Sequence, residues 1–209
     1  MSAYKFPALL LLLFALTLAQ ACKPSRGQKG AANTGRTDAP SNAAGRRAGT
    51  ELNDYYDTDG DFSIKLPDGC AVEREEQDGA YMTVIRPARQ RPANISILTI
   101  KAVLPKTDSA DLQSHMLVDS SEPFFRGWFN GLVEQARVED RSDVYPTQFA
   151  NLNAMRLDVT YYRDDDDDPR RGYAVYLIGD KTACFITLTA GRSQFKELEE
   201  ILSTIRIEP

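Results

Sequence analysis

At 209 residues, with 30 acidic and 25 basic side chains, the chain has room for one ordinary domain plus appendages and a net charge of −5. The acidic excess falls within residues 51–209, where 29 acidic groups face 18 basic ones for a net of −11. That sign disfavours nucleic acid as a partner, because phosphate binding rests on Lys and Arg neutralising the backbone.

Residues 1–21 read as a secretory signal peptide. Lys5 supplies a short positive start, Ala8 to Leu18 form an unbroken apolar run, and Ala19-Gln20-Ala21 place small residues before Cys22. The eleven-residue run is too short for a hydrocarbon core that takes about 20 residues to cross. Two processing routes are open. Ordinary signal peptidase would cut after Ala21 and release a soluble protein. The string LAQAC resembles a bacterial lipobox, which implies acylation of Cys22 and its retention as the N-terminus, anchored in a lipid membrane. Each buried methylene contributes about 0.8 kcal/mol and firm attachment takes more than one chain, so the several acyl groups of such a lipoprotein would hold it.

Residues 22–50 follow as a tether. Beyond Cys22 the segment has no Leu, Ile, Val, Phe or Tyr, so it lacks the surface to offset its ordering entropy. Its root-mean-square reach is about 30 Å. Lys23, Arg26, Lys29, Arg36, Arg46 and Arg47 stand against Asp38 alone. Beside anionic lipid each such cation gains up to about 1 kcal/mol. The acidic body would be repelled from the same surface.

Residues 51–209 are enough for a self-sufficient core. Phe62, Ile64 and Leu66 alternate with polar neighbours and predict a half-buried strand over 61–67. Strands follow at 80–87 and 94–105, each closed by a proline. Asp108 or Ser109 then offers an N-cap for a helix carrying Leu112, Met116 and Leu117. Pro123 suits the first turn of a second helix, capped by Ser120 or Ser121, whose apolar face is Phe125, Trp128, Phe129, Leu132, Val133 and Ala136. Strand signals return at 148–149, 154–162, 172–178 and 183–189. Ser193 caps a last helix with Phe195, Leu198, Ile201, Leu202 and Ile205 on one side. Strands, helix, strands, helix with hairpin-like links predict an α+β fold, a largely antiparallel sheet with helices packed on it.

The strand and turn FSIKLPDG, the mid-chain helix, the hairpin ending ACFITLTAG and the terminal SQFKELEEILSTIRI together resemble the PsbP-like group of α/β/α sandwiches, including its DcrB-like lipoproteins. The resemblance covers roughly 58–207. Cys70 stands where the group often has a tryptophan after Pro-x-Gly. It implies a non-catalytic accessory or binding protein of the cell envelope, with an envelope protein as partner and no catalytic residues to carry over.

The residues that look most like chemistry are Asp164 to Asp168. Asp164, Asp166 and Asp168 fall at positions 1, 3 and 5 of a calcium loop, but Pro169 takes the place of the glycine and Val175 that of the bidentate glutamate. A solvated hairpin tip edged by Arg163, Arg170 and Arg171 competes with weak calcium binding there. Asp57, Asp59 and Asp61 form a second acidic turn, with its glycine also misplaced. Cys70 and Cys184 allow either a disulfide, natural in an exported domain, or two buried thiols. His115 is the only histidine, so any nucleophilic pair has one base to use, and exposure to solvent is the expectation for it. Phe124, off the main helix face, is the candidate for an exposed interaction anchor. The alternative to a protein-binding module is a binder of a small ligand or divalent cation at the acidic loops.

Overall fold

A computed structural model describes residues 52–77, 79–87, 93–101, 110–163, 168–179 and 181–207. The signal segment, Cys22 and the tether lie outside these described residues. Two sheets are present. β1 (Leu52–Asp57), β2 (Phe62–Pro67) and the short β11 (Arg206–Ile207) make a small antiparallel one. The large sheet takes its strands from β3 (Ala71–Gln77), β4 (Ala80–Arg86), β5 (Asn94–Lys101), β6 (Ala136–Arg141), β7 (Tyr145–Phe149), β8 (Leu152–Arg163), β9 (Arg170–Ile178) and β10 (Thr182–Gly191). Their order is β3-β4-β5-β10-β9-β8-β6, with β7 also paired to β8 and every pairing antiparallel.

Side-chain alternation gives the large sheet two apolar faces. On one, Met82, Leu98, Phe185, Tyr176 and Leu157 pack under helix α1 (Ala110–Val133) through Leu117, Phe125, Trp128 and Leu132. On the other, Ile95, Ile97, Ile186, Leu188, Val175 and Leu177 meet the small sheet through Phe62, Ile64 and Leu66. Helix α2 (Arg192–Leu202) closes that face with Leu198, Ile201 and Leu202. Strands β9 and β10 are apolar at consecutive positions because both their faces are covered. The expected α+β fold, a mostly antiparallel sheet with a helix on each side, is the fold observed.

Three local expectations are corrected. The two mid-chain helices are one 24-residue helix, with Pro123 inside it. Proline cannot donate to the carbonyl four residues back and costs roughly 3 kcal/mol within a helix. The hydroxyls of Ser120 and Ser121 donate to carbonyls of the preceding turn, those of Met116 and Val118, and the apolar face from Leu117 to Leu132 secures both halves. That face ends sooner than the periodicity implied, since Val133 is exposed and Ala136 opens β6. Ser193 does not cap the last helix: α2 starts at Arg192 behind an extended Gly191, with no side-chain cap.

The registers fix which turns share a pole of the sandwich. Leu52, the first described residue, pairs with Pro67 at the end of β2. A short turn then leads to Ala71 opposite Arg86, and onward to Ile85 opposite Ile95, Ile95 opposite Leu188, and Gly191 opposite Arg170. Leu52, Arg170 and the start of α2 therefore lie at one pole. Asp57, Gly60 and the end of β5 lie at the other.

Candidate functional site

Along α1, Val118, Phe125 and Phe129 face across a gap toward Arg141 and Val144, with Met155 and Leu157 of β8 as its floor. The cleft is open along one side and has a cavity volume of about 370 Å³, near the lower end of the roughly 300–1,000 Å³ usual for small-molecule sites. It exists because β6 and β7 both pair with β8 but do not continue one another. The corner between them is tied to β8 by Ser142, whose N–H donates to the Asp158 carbonyl at 3.0 Å while its Oγ accepts from the Asp158 N–H at 3.0 Å. That double tie projects Arg141 and Val144 above the floor. The Arg141 guanidinium lies over the Phe129 ring at 4.4 Å, within cation–π range. Arg126, on the facing rim, pairs with Glu122 at 3.1 Å.

Behind the corner, on the opposite face of β8, Arg156 holds Asp158 with Nη2–Oδ1 at 2.7 Å and Nε–Oδ1 at 3.1 Å. The Tyr145 hydroxyl donates to the same carboxylate. The Arg156 guanidinium lies 3.9 Å from the centre of the Tyr173 ring, and burial pushes the Tyr173 phenol well above the usual range. All of these groups are committed to one another, which makes this a structural clamp between β7, β8 and β9.

The sequence-derived site residues fare differently. Asp57 is 3% exposed and organises its turn from within. Its Oδ1 accepts from the Gly60 N–H at 2.8 Å and its Oδ2 from the Thr83 hydroxyl at 2.9 Å, with Arg74 Nε at 3.4 Å. Asp59 also binds Arg74, at 2.6 Å. Gly60 is needed here because a Cβ would come within 2.9 Å of the Phe62 ring. In the 57–61 turn the Asp57 and Asp59 carboxylates are thus both engaged, by Gly60, Thr83 and Arg74. Asp168 is exposed in the β8–β9 connection, while Asp164 and Asp166 lie outside the described residues. Of that run only Asp168 is described, and it lies at the pole opposite the 57–61 turn. Among the described residues no group of three acidic, His or Cys side chains converges.

Cys70 and Cys184 are separate thiols, so the disulfide alternative is not the arrangement observed. Cys184 sits on β10 at the level of Thr99 and senses Asp61, whereas Cys70 follows Pro67 and senses Glu197 of α2. The length of β2 separates those levels, about 17 Å at the usual strand rise, against the 7 Å or less between Cα atoms that a bridge demands. Burial pushes the Cys184 thiol up to about 12 and, chiefly for the same reason, raises Cys70. His115 is exposed on α1. Phe124 is not the free anchor expected of it. Its ring stacks on Tyr176 of β9 at 5.0 Å and approaches Phe185 of β10 at 5.6 Å, so that position faces the sheet.

Arg74, Arg141 and Arg156 were not singled out from sequence. Arg74 lies in the charged run EREEQ, and Arg141 gains meaning only from the β6–β7 corner. Neither had a local signal.

The fold defines a class first: a two-faced antiparallel sheet with one helix on each side, reached through a long N-terminal segment. No protein-family model matches the chain, and no curated protein sequence matches it. Solved structures do. Cyanobacterial PsbP from Synechocystis is similar over 79% of this chain and 98% of its own, with 13% identity and a TM-score of 0.47. LpqN, a Mycobacterium tuberculosis protein involved in cell envelope biogenesis, is similar over 76% of this chain and 91% of its own, with 11% identity and a TM-score of 0.43. A Bacteroides thetaiotaomicron protein gives 10% identity and 0.46, over 75% of this chain and 48% of its own. The PsbP-like resemblance read from the strand and helix pattern is thus met again among these structures.

Proposed function

We propose that this chain is an envelope-anchored lipoprotein whose α+β domain acts as a non-catalytic accessory module, binding another protein of the exported compartment. The observation that carries this reading is the order of segments: a signal peptide ending in LAQAC, a basic tether and then a compact acidic domain. The PsbP-like fold and a structural neighbour from cell envelope biogenesis accord with an extracytoplasmic setting. Among the described residues no helix is long and apolar enough to cross a membrane, so attachment in this reading rests on acylated Cys22.

Two experiments decide the two halves of the proposal. Mass spectrometry of the mature N-terminus should find an acylated cysteine, and an unmodified Cys22 would refute the anchor. Crosslinking in cells followed by identification of the adduct should return a recurrent envelope protein. Adducts scattered in proportion to protein abundance would count against an accessory role.

A further inference from the structure

We propose that the cleft between α1 and the β6–β7 corner is a binding site for a single-chain fatty-acid anion, its alkyl chain along the α1 wall of Phe125 and Phe129 over the Met155–Leu157 floor and its carboxylate at Arg141. Two features of the cleft select that chemistry. The walls offer an occupant almost no backbone hydrogen bonding. α1 bonds its own backbone except for the carbonyl that Pro123 cannot serve, and β8 is paired on one edge with β9 and on the other with β6, β7 and Ser142. An extended peptide laid along α1 and β8 would bury unmatched amide groups, and β8, paired on both edges, has none free for β-addition. An alkyl chain carries no such groups.

The rim then sets the charge. Among the described residues no ion pair engages Arg141, whose guanidinium is held in place by Phe129 rather than by a carboxylate. Arg126 is matched by Glu122. The rim thus has one net positive charge in a domain that is otherwise strongly acidic. A monoanion fits that balance better than a dianionic phosphate. The carboxylate would accept from Arg141 at the open side, where it keeps part of its hydration, and the chain would lie along α1 toward Val118.

The sole tryptophan, Trp128, is buried on α1 within one turn of the cleft-lining Phe125 and Phe129. The full chain in phosphatidylcholine nanodiscs is titrated with 11-bromoundecanoate, whose bromine quenches indole fluorescence at close range. Saturable quenching is expected. The uncharged 11-bromoundecanol should need at least about tenfold more, the worth of one charge-assisted contact. Arg141→Glu should weaken the acid about tenfold or more and leave the alcohol unchanged. Its melting temperature, matched to the parent, rules out a folding defect. Quenching that never saturates, equal response to acid and alcohol, or an unaltered Arg141→Glu variant would overturn the site. An undecyl phosphate that outcompetes the carboxylate would overturn the monoanion assignment. A photocrosslinker at Val118 in cells gives the last arm: acyl adducts support the proposal, and exclusively protein adducts refute it.

Discussion

Asp57→Ala tests whether the 57–61 turn is held from within. The carboxylate satisfies two groups that are otherwise enclosed, the Gly60 N–H at 2.8 Å and the Thr83 hydroxyl at 2.9 Å. Removing it leaves both unmatched, at about 1–3 kcal/mol apiece. Arg74 also loses a partner, but its side chain is 37% exposed and keeps Asp59, so that loss adds little. The total is roughly 3–5 kcal/mol, a large share of the 5–15 kcal/mol typical of a domain. Urea unfolding followed by circular dichroism should show the midpoint falling by about 1.5–2.5 M with an unchanged slope, for a slope near 2 kcal/mol/M. Adding Thr83→Val removes the second unmatched group, and the double mutant should recover about 1–2 kcal/mol over Asp57→Ala alone. A midpoint shift below about 0.5 M, or no recovery with Thr83→Val, would show that the turn does not depend on this carboxylate.

Other outcomes follow from the same structure. The Cys184 thiol is raised from 9 to about 12 in the folded state, so its stabilising effect is complete below about pH 9 and is lost as pH climbs toward 12. Unfolding free energy should therefore fall more steeply between pH 9 and 11 in the parent than in Cys184→Ala. A thiol reagent at pH 8 should label half-buried Cys70 in the native protein and Cys184 only on unfolding; rapid labelling of both would contradict the packing. Ala150 and Asn151 both have positive φ in the two-residue β7–β8 turn, 50° and 64°. This suits Asn or Gly better than Ala, and Ala150→Gly should raise stability by about 0.5–1 kcal/mol in thermal or urea unfolding. Millimolar calcium should leave the melting temperature unchanged if the Asp164–Asp168 run is a solvated tip. A rise abolished by Asp→Asn changes there would instead establish a cation site.

How legible all this was depended on which face each residue presents. β2 could be read because Phe62, Ile64 and Leu66 all point inward while their neighbours do not. β9 and β10 announced themselves by unbroken runs of apolar and β-branched residues. β1 and β3 were missed for the opposite reason: LNDYYD buries only Asp57, and AVEREEQ is an exposed edge with no buried position. Such strands are held by backbone pairing to an apolar neighbour, which leaves no period in their own sequence. Pro123 divided α1 on paper because its local cost is visible in sequence, whereas the tertiary packing that overrides it is not. The cleft was invisible for a related reason. Its floor, its helix and Arg141 come from segments up to about 40 residues apart, joined only by the β6–β8 and β7–β8 registers.

The shared pole of Leu52 and the β8–β9 connection has a mechanical side. In a chain anchored at Cys22 as proposed, the pull of the tether enters at the end that also carries Arg163 and Asp168, the residues bracketing the rest of the acidic run. Tension would bring that end toward the lipid while the acidic excess of residues 51–209 resists an anionic surface, so the two forces would oppose each other. The domain's standoff becomes a spring balance whose electrostatic arm extends about 8 Å at physiological ionic strength and shortens as salt rises. In such an anchored chain the opposite pole, with the Asp57 turn and the start of α1, would be the one held away from the lipid.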